Sequence, residues 1–259
     1  MIFRGDGKNN IIEGDCFHQW LVPDVKNGAA TAKYVTRKPE KYKPPVTKVM
    51  MNPPFALKAS DEKEYKFVNR ALSQMAVGGL LFSVLPYSTM VKPNEYLRWR
   101  RDLLKDNTLL SVITFPEDLF YPIGVITAGV FIKRGVPHPK EQDVLWIRAV
   151  NDGFAKSKGK RLLNEKVPND FETVRTVLKS FLIDPQTKIE NVQKFEKACP
   201  IDFSDKMLEL VAENYLDENA PDIAEMREGV DKVVRDTVAY LITSRREDVV
   251  DENLKGTDN

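Results

Sequence analysis

Residues 47–55 read TKVMMNPPF, a short apolar segment that runs into two consecutive prolines. Residues 47–51 are predicted to form a buried strand. Pro53 and Pro54 end it, because proline has no backbone N–H to donate to a strand ladder. The polar residue Asn52 therefore lies immediately beyond the end of the strand.

Strands and helices alternate on both sides of this segment. The alternation predicts an α/β fold with a mainly parallel, doubly wound sheet, in which ligands bind at the carboxyl ends of strands. Asp15 and Asn52 both follow a predicted strand, so we expect the site at that edge. The strands are predicted at residues 10–14, 47–51, 80–85, 109–115, 125–133 and 143–150, and the helices between them at 62–77 and 96–105.

The last third of the chain has a different character, because its periodicity is helical almost throughout. We therefore divide the chain into residues 1–165, which carry the sheet, and a helical extension over residues 166–259. The apolar seam of the longest predicted helix indicates packing against another helix, in this chain or in a partner. The predicted helices are 171–181, 189–197, 205–216 and 221–244.

Composition excludes several classes of protein. Hydrophobic residues make up 42% of the 259 residues and charged residues 30%, which is typical of a soluble globular chain. No apolar run is long enough to cross a bilayer. Cys16 and Cys199 are far apart and histidines are only two, so we expect a cytoplasmic protein without a metal site.

The net charge of +1 conceals a basic first part and an acidic tail. Residues 24–48 contain seven basic and two acidic side chains, whereas residues 205–259 contain fifteen acidic and seven basic ones. A second basic cluster consists of Lys156, Lys158, Lys160 and Arg161. The basic run is either a solvated loop or a surface that contacts phosphates, and charge alone does not decide between them.

The NPPF motif is suited to methylation of an exocyclic amine, whose nitrogen lone pair is delocalised into its ring. The side-chain oxygen of Asn52 and the carbonyl of Pro53 would accept hydrogen bonds from the amino group and favour the nucleophilic form of its nitrogen. Phe55 would stack on a base swung out of a duplex. The alternative interpretation is a Pro-Pro turn after a strand, with Phe55 in the core.

Several blocks in order resemble the amino-methyltransferases that modify DNA with S-adenosylmethionine. The likeness is strongest to the modification subunits of type I restriction-modification systems, and it covers about residues 10–161. The blocks are IEGDCF (12–17), MNPPF (51–55), GGLLFSVLP (78–86), RRDLL (100–104), FP (115–116), LFY (119–121), GVITAGVFI (124–132) and NDGF (151–154) with Lys158, Lys160 and Arg161.

The resemblance implies a role for each block. Asp15 would accept a hydrogen bond from the adenine amino group of S-adenosylmethionine, with Cys16 and Phe17 beside it. Asn52, Pro53, Pro54 and Phe55 would form the catalytic motif. Phe120 or Tyr121 would form the far wall of the base pocket, and we favour Phe120. A plain core position is the alternative for both aromatic residues.

The cofactor-loop motif of the family lies too close to the next predicted strand. The sequence Phe3-Arg4-Gly5-Asp6-Gly7 has the letters of the cofactor loop, but the strand at residue 10 follows too soon for a helix and a second strand. We therefore expect a partial Rossmann-like sheet whose amino-terminal cofactor-loop part is missing. Alone, such a chain would bind S-adenosylmethionine weakly and be inactive.

The expected function is transfer of a methyl group to the N6 amine of adenine in double-stranded DNA, within a restriction-modification system. A specificity subunit, docked on the carboxy-terminal helices, would supply target recognition. Two alternatives stay open: an enzyme that methylates amines of RNA or protein, and a catalytically incomplete subunit that binds DNA or a partner.

Overall fold

The computed structural model describes most of the chain up to residue 216. The described ranges are 13–26, 29–56, 58–121, 124–157, 160–185 and 195–216, together with seven single residues between 227 and 238. Residues 1–216 and 217–259 form two separate compact units. Among the described helices, none has the length and apolar character that a membrane crossing requires.

A six-stranded sheet forms the centre of the first unit, in the order β10-β7-β5-β6-β4-β3. Strand β5 is buried along its whole length, as expected for the middle of a sheet covered on both faces. The six strands are β3 (Val46–Met51), β4 (Met75–Pro86), β5 (Thr108–Thr114), β6 (Thr127–Lys133), β7 (Asp143–Arg148) and β10 (Glu196–Pro200).

The sheet is mixed: four of its six strands run the same way, as predicted, and two run against them. Strands β3 and β4 pair in parallel, as do β5 and β7, whereas β6 is antiparallel to both β4 and β5. Strands β3, β4, β5 and β7 therefore run the same way, while β6 and β10 run against them. The described residues between β5 and β6 contain no crossover helix, and without one β6 returns antiparallel.

Helices cover both faces of the sheet. On one face, Val68 of α1 and Trp99 of α3 pack with Leu81 and Val130 of the sheet and with the segment 201–212. On the other face, Val174 and Phe181 of α4 pack against Ile113 and Ile147. The helices are α1 (Glu64–Ser73), α2 (Tyr87–Val91), α3 (Glu95–Asp106) and α4 (Phe171–Ile183).

Two hairpins stand outside the central sheet, and the sequence analysis anticipated neither. The first pairs β1 (Trp20–Lys26) with β2 (Ala29–Val35), and the second pairs β8 (Phe154–Ser157) with β9 (Lys160–Leu163). The first hairpin is fixed to α1, because the Leu21 N–H donates to the Gln74 side chain at 2.7 Å. The Tyr42 hydroxyl donates to the Leu21 carbonyl, also at 2.7 Å.

Three predicted helices need correction. The helix predicted over 62–77 ends at Ser73, because β4 already begins at Met75 and passes through Gly78 at a φ of +81°. The helix predicted over 189–197 is wrong at its end, where Glu196 and Lys197 belong to β10 and pair with β7, and residues 189–194 lie outside the described residues. The helix predicted over 205–216 is wrong as well, since these residues contain only a single 3-10 turn, Ala212–Asn214.

Most other predicted elements are confirmed. Those at 47–51, 96–105, 109–115, 143–150 and 171–181 correspond to β3, α3, β5, β7 and α4. Residues 10–12 of the first predicted strand lie outside the described residues, and Glu13 and Gly14 are not in a strand. The seven described residues of the predicted helix 221–244 are helical, and the rest lie outside the description. The division at residue 165 stays a prediction.

The side chain of Arg100 forms a network of hydrogen bonds within the core. Its fully buried guanidinium donates to the carbonyls of Leu208 (2.8 Å), Thr89 (2.9 Å), Met207 (2.9 Å) and Lys92 (3.0 Å). Burial lowers the pKa of Arg100 to about 10, so the side chain stays charged at neutral pH. It thereby fixes the segment after β10 against α2 and α3.

Candidate active site

The carboxyl ends of four strands meet at one edge of the sheet, because β3, β4, β5 and β7 run the same way. Asn52 follows β3, Tyr87 follows β4, Phe115 follows β5 and Ala149 follows β7. Polar and aromatic side chains from separate parts of the sequence are thus brought to a single edge, where ligands of open α/β sheets bind.

The NPPF motif, residues 52–55, lies at this edge of the sheet, and its polar residue Asn52 faces solvent. Asn52 and Pro54 are exposed, Pro53 is buried and Phe55 is half-buried. The buried Pro53 fixes the backbone on either side of it, since its ring restricts its own φ and the conformation of Asn52. The Asn52 amide is therefore held at the surface and is accessible to a substrate.

Glu64, at the first position of α1, braces the residue that follows the motif. Its buried carboxylate, only 3% exposed, accepts the backbone N–H of Ala56 at 2.6 Å. A hydrogen bond to an ionised acceptor is stronger than a neutral one. Glu64 thus restrains the chain immediately after Phe55.

Phe120 approaches the motif from the loop after β5. The rings of Phe55 and Phe120 lie 5.9 Å apart between centroids at an interplanar angle of 64°. Both side chains are half-buried, and so is Tyr121. Tyr121 belongs to a turn in which its N–H donates to the Asp118 carbonyl at 3.0 Å. The structure therefore brings the Phe120 ring into contact with the Phe55 ring.

Arg161 of β9 holds the loop that carries Phe120. Its guanidinium binds both carboxylate oxygens of Asp152, at 2.5 and 2.6 Å, and lies 3.6 Å from the carboxylate of Asp118. It also donates to the Leu119 carbonyl at 3.4 Å. Because Asp118 and Leu119 directly precede Phe120, Arg161 links the second hairpin to the position of that ring.

Asp15 lies in an exposed turn, ready to accept a further hydrogen bond. Its carboxylate accepts the Phe17 backbone N–H at 2.8 Å and contacts the His18 ring at 2.8 Å. The Phe17 N–H, followed by His18, holds the pKa of Asp15 below its ordinary value. The group is therefore ionised at neutral pH, and each oxygen retains a lone pair for another donor.

Arg70 of α1 anchors the segment from Cys16 to Trp20. It donates to the carbonyls of Cys16 (2.8 Å) and Gln19, and its guanidinium lies 3.8 Å from the centre of the Trp20 ring. The Phe17 ring packs on Phe67 of the same helix, with 4.8 Å between centroids. Burial raises the pKa of the Cys16 thiol.

A small cavity joins the Asp15 block to the NPPF block. Cys16 and Met51 both line it, and each is the immediate neighbour of a predicted site residue. Its volume is about 210 Å³, and Val49 and Phe67 form part of its apolar wall. Cys16 and Met51, which are 35 positions apart in the sequence, thus meet on the α1 side of β3.

A second cavity, of about 500 Å³, opens at the carboxyl edge beside the Phe120 loop. Tyr87, Thr114 and Glu213 line it, and the Thr114 hydroxyl donates to Glu213 at 2.9 Å. Burial, reinforced by Glu213, raises the pKa of Tyr87 to about 12. A larger cavity of about 780 Å³ lies between α1 and α3 and contains none of the predicted site residues.

The basic run before β3 is partly used within the protein. Lys33 pairs with Asp24 at 3.2 Å, and the ammonium group of Lys38 lies 5.0 Å from the centre of the Trp20 ring. Other basic side chains of this run are exposed, namely Arg37, Lys41, Lys43 and Lys48. Phosphate contact is therefore sterically open to them.

The sequence profile of the family described as N-6 DNA Methylase matches residues 24–218, well over half of the chain. The chain belongs to the N-6 DNA methylase family. The NPPF motif, the Phe120 loop and the whole central sheet lie within the matched residues.

A relative of this chain agrees with the family match. The type II restriction enzyme and methyltransferase RM.BcgI of Heyndrickxia coagulans is 29% identical over 234 residues, which cover 83% of this chain and 34% of that protein. The chain thus spans about a third of the length of this relative.

Two solved structures share the fold. The methyltransferase subunit of a type I restriction-modification system from Streptococcus thermophilus superposes with a TM-score of 0.52 at 18% identity, covering 69% of this chain and 40% of that one. A chain from a study of complex assembly in a type I R-M system gives 0.50 at 18% identity, covering 82% and 46%. The predicted methyltransferase fold class is confirmed.

Sequence reasoning did not find two residues that support the candidate site. Glu64 acts on a backbone group eight positions away, and no motif marks it. Arg161 was noted within a typical block but without a function, because its pairing with the Asp118 loop spans more than 40 positions. The available signal for Glu64 was an acidic residue in the first turn of a predicted helix, because the amino end of a helix favours acidic side chains.

Proposed function

We propose that this protein transfers a methyl group from S-adenosylmethionine to the N6 amine of an adenine flipped out of double-stranded DNA. The observation that carries the proposal is the pairing of Phe55 with Phe120 beside the exposed amide of Asn52. A flat base is recognised by an aromatic ring together with acceptors for its amino group, and these meet here at the ligand-binding edge of the sheet.

Asn52 and Pro53 supply the acceptors in this proposal. The Asn52 side-chain oxygen and the Pro53 carbonyl accept hydrogen bonds from the two N6 hydrogens. These hydrogen bonds favour the form of N6 whose lone pair is available. In that form the N6 lone pair would be available to the methyl group that S-adenosylmethionine would supply, and the surplus N6 proton would pass to water. The buried Pro53 supports the role, because acceptors fixed in advance need no reorganisation during the reaction.

Asp15 suits the adenine end of S-adenosylmethionine. Its ionised carboxylate keeps free lone pairs, faces solvent and lies in the segment that Arg70 fixes to α1. When bound, the cofactor supplies a methyl group on a sulfonium centre, and Asp15 orients its adenine by accepting the amino group. Cys16 and Phe17 shape the adjoining wall. Phe3 to Gly7, which resemble the family's cofactor loop, lie outside the described residues.

Double-stranded DNA is the proposed substrate, and a separate protein supplies sequence recognition. The exposed cations of residues 37–48 suit contacts with phosphates, which position a duplex without reading its sequence. The acidic residues 217–259 are unsuited to DNA and are the proposed docking segment for a specificity subunit. Deletion of residues 221–259 should then abolish complex formation while residues 13–216 stay folded. An intact complex would contradict this assignment.

The decisive experiment identifies the methylated group. The protein is expressed with the genes that neighbour its own, and hydrolysed DNA, RNA and protein are analysed by mass spectrometry for methylated bases and side chains. The proposal predicts N6-methyladenine in DNA alone. Methylation confined to RNA or protein would replace the proposed substrate, and no methylation in any fraction would favour the non-catalytic alternative.

A further inference from the structure

A cavity of about 390 Å³ lies at the edge of the sheet opposite the NPPF motif. It forms where the end of α3, the segment after β6 and the segment 203–208 meet. Since α3 leads into the amino end of β5 while Asn52 follows the carboxyl end of β3, the two sites lie at opposite ends of strands that run the same way. Its volume is within the range of small-molecule sites.

His138 is a buried ring in the wall of this cavity whose hydrogen-bonding capacity is unused. It is only 8% exposed, and neither ring nitrogen has a hydrogen-bond partner among the residues that the structure describes. Burial lowers its pKa to about 4, so the imidazole is neutral at neutral pH. A neutral imidazole offers one donor and one acceptor, and native proteins rarely leave both unmade.

The remaining wall is apolar. Leu104 and Leu208 are buried beside His138, and the half-exposed ring of Phe203 lies 6.3 Å from the His138 ring between centroids. Aromatic rings pack well against such surfaces in offset or edge-on arrangements. The interior therefore suits a flat, apolar group.

The rim of the cavity is positively charged. Arg101, Lys105 and Lys140 line it and are exposed. Lys105 is partly neutralised by Asp102 at 2.7 Å. The one acid in the wall, Asp205, has both carboxylate oxygens occupied by the backbone N–H groups of Met207 and Glu209, each at 2.8 Å. A ligand at the rim is therefore favoured when it is an anion.

The cavity is preformed because Arg100 holds its wall. Leu208 adopts a φ of +47°, which a leucine rarely does, and its carbonyl accepts the buried Arg100 guanidinium at 2.8 Å. A second hydrogen bond from Arg100 fixes the carbonyl of Met207 at 2.9 Å. A wall that is already ordered costs little additional entropy when a ligand binds.

We infer that this cavity binds a small aromatic carboxylic acid. The aromatic part lies against Leu104 and Phe203, and the carboxylate faces Lys140 and Arg101. Rotation of the His138 side chain brings a ring nitrogen within hydrogen-bonding reach of the ligand. The inference does not depend on methyl transfer, because the site lies away from Asn52 and Phe120, and binding there leaves the proposed base pocket open.

Proton NMR of the whole chain tests this inference, because the protein has only two histidines. Naphthalene-2-carboxylate and its neutral amide are titrated separately while the ring protons of both histidines are followed. We expect the carboxylate to shift His138 saturably and to leave His18 unchanged, with roughly tenfold tighter binding than the amide, a difference of about 1.4 kcal/mol. Lys140→Glu should remove that preference, whereas Lys179→Glu, on α4, should retain it.

Three results would overturn the inference. The first is the absence of a saturable His138 shift at ligand concentrations up to about 1 mM, the weak end of specific affinity. The second is equal affinity for the carboxylate and the amide, which would exclude an anion site. The third is a preference that Lys140→Glu leaves intact, which would place the carboxylate elsewhere. Both substituted lysines are exposed, so neither variant should disturb folding.

Discussion

The buried carboxylate of Glu64 accepts the backbone N–H of Ala56 at 2.6 Å, and Ala56 is the first residue after the NPPF motif. We predict that Glu64→Ala lowers kcat for DNA methylation roughly 10- to 100-fold, because a displacement of about 1 Å in a reacting group is enough for such a loss. Glu64→Gln keeps an oxygen acceptor and should lose much less.

A matched control is Glu62→Ala, since Glu62 is exposed and forms an ion pair with Lys66 of α1 at 2.6 Å. Its kcat should equal that of the unsubstituted protein. Equal kcat for Glu64→Ala and Glu62→Ala would show that the hydrogen bond to Ala56 does not contribute to the site.

Phe120 and Tyr121 are neighbours that should respond differently to substitution. We predict that Phe120→Ala weakens retention of the flipped base by about 1–3 kcal/mol, roughly 5- to 150-fold, whereas Tyr121→Ala has a smaller effect. The reason is the ring contact of Phe120 with Phe55 at 5.9 Å. Fluorescence of 2-aminopurine at the target position measures base flipping directly. The larger loss in Tyr121→Ala would reverse the assignment.

Two substitutions in the Arg161 network distinguish its contribution to folding stability from its effect on the position of Phe120. Arg161→Ala leaves the 7%-exposed carboxylate of Asp152 unpaired, so we expect it to lower the free energy of unfolding by about 3–5 kcal/mol. Asp118→Asn keeps the Arg161–Asp152 pair and removes only the contact at 3.6 Å, so stability should change by less than about 1 kcal/mol.

Asp118→Asn should nevertheless reduce methylation, because the loop that bears Phe120 loses one of its two contacts with Arg161 and keeps only the one to the Leu119 carbonyl. Thermal unfolding and initial rates are measured on the same preparations. Unchanged activity in stable Asp118→Asn protein would show that the contact between Asp118 and Arg161 has no part in positioning Phe120.

Sequence reasoning predicted the backbone around the NPPF motif correctly, because a short block of residues determines its own local geometry. The strand before Asn52 and the two prolines after it are local features, and β3 does end there. The pairing of Phe55 with Phe120 was anticipated only through family resemblance, because nothing local relates residues 65 positions apart. The roles of Glu64 and Arg161 were missed for the same reason.

The errors in secondary structure arose from tertiary pairing that overrides local preference. The sequence EKAC at 196–199 has helical composition, yet it forms a strand because the edge of β7 is available. The first hairpin carried a signal that was overlooked: Asn27-Gly28 separates β1 from β2, and Asn-Gly is a strong hairpin dipeptide.

Stability should depend on His138 in mildly acid solution. Its pKa is about 4 in the folded protein against 6.5 for an ordinary histidine, so its stabilising contribution is complete above pH 6.5. As pH falls from 6.5 to about 4, the unfolded chain takes up a proton that the folded one does not, and up to about 3 kcal/mol is lost.

Urea unfolding at several pH values between 4 and 7 measures this dependence. His138→Leu, which suits the apolar wall, should flatten the curve over that interval. His18→Ala removes an exposed pair with Asp15 and should change the curve much less than His138→Leu does. An unchanged slope in His138→Leu would show that other groups cause the acid sensitivity.

The most direct test of the account is the methylation activity of Asn52 variants in the assembled enzyme, with DNA binding measured in parallel. Asn52→Ala removes the side-chain acceptor and should lower kcat at least about 100-fold at unchanged DNA affinity, whereas Asn52→Asp keeps an oxygen and should retain part of the activity. N6-methyladenine formed by Asn52→Ala at the unsubstituted rate would contradict the proposed role of the NPPF motif.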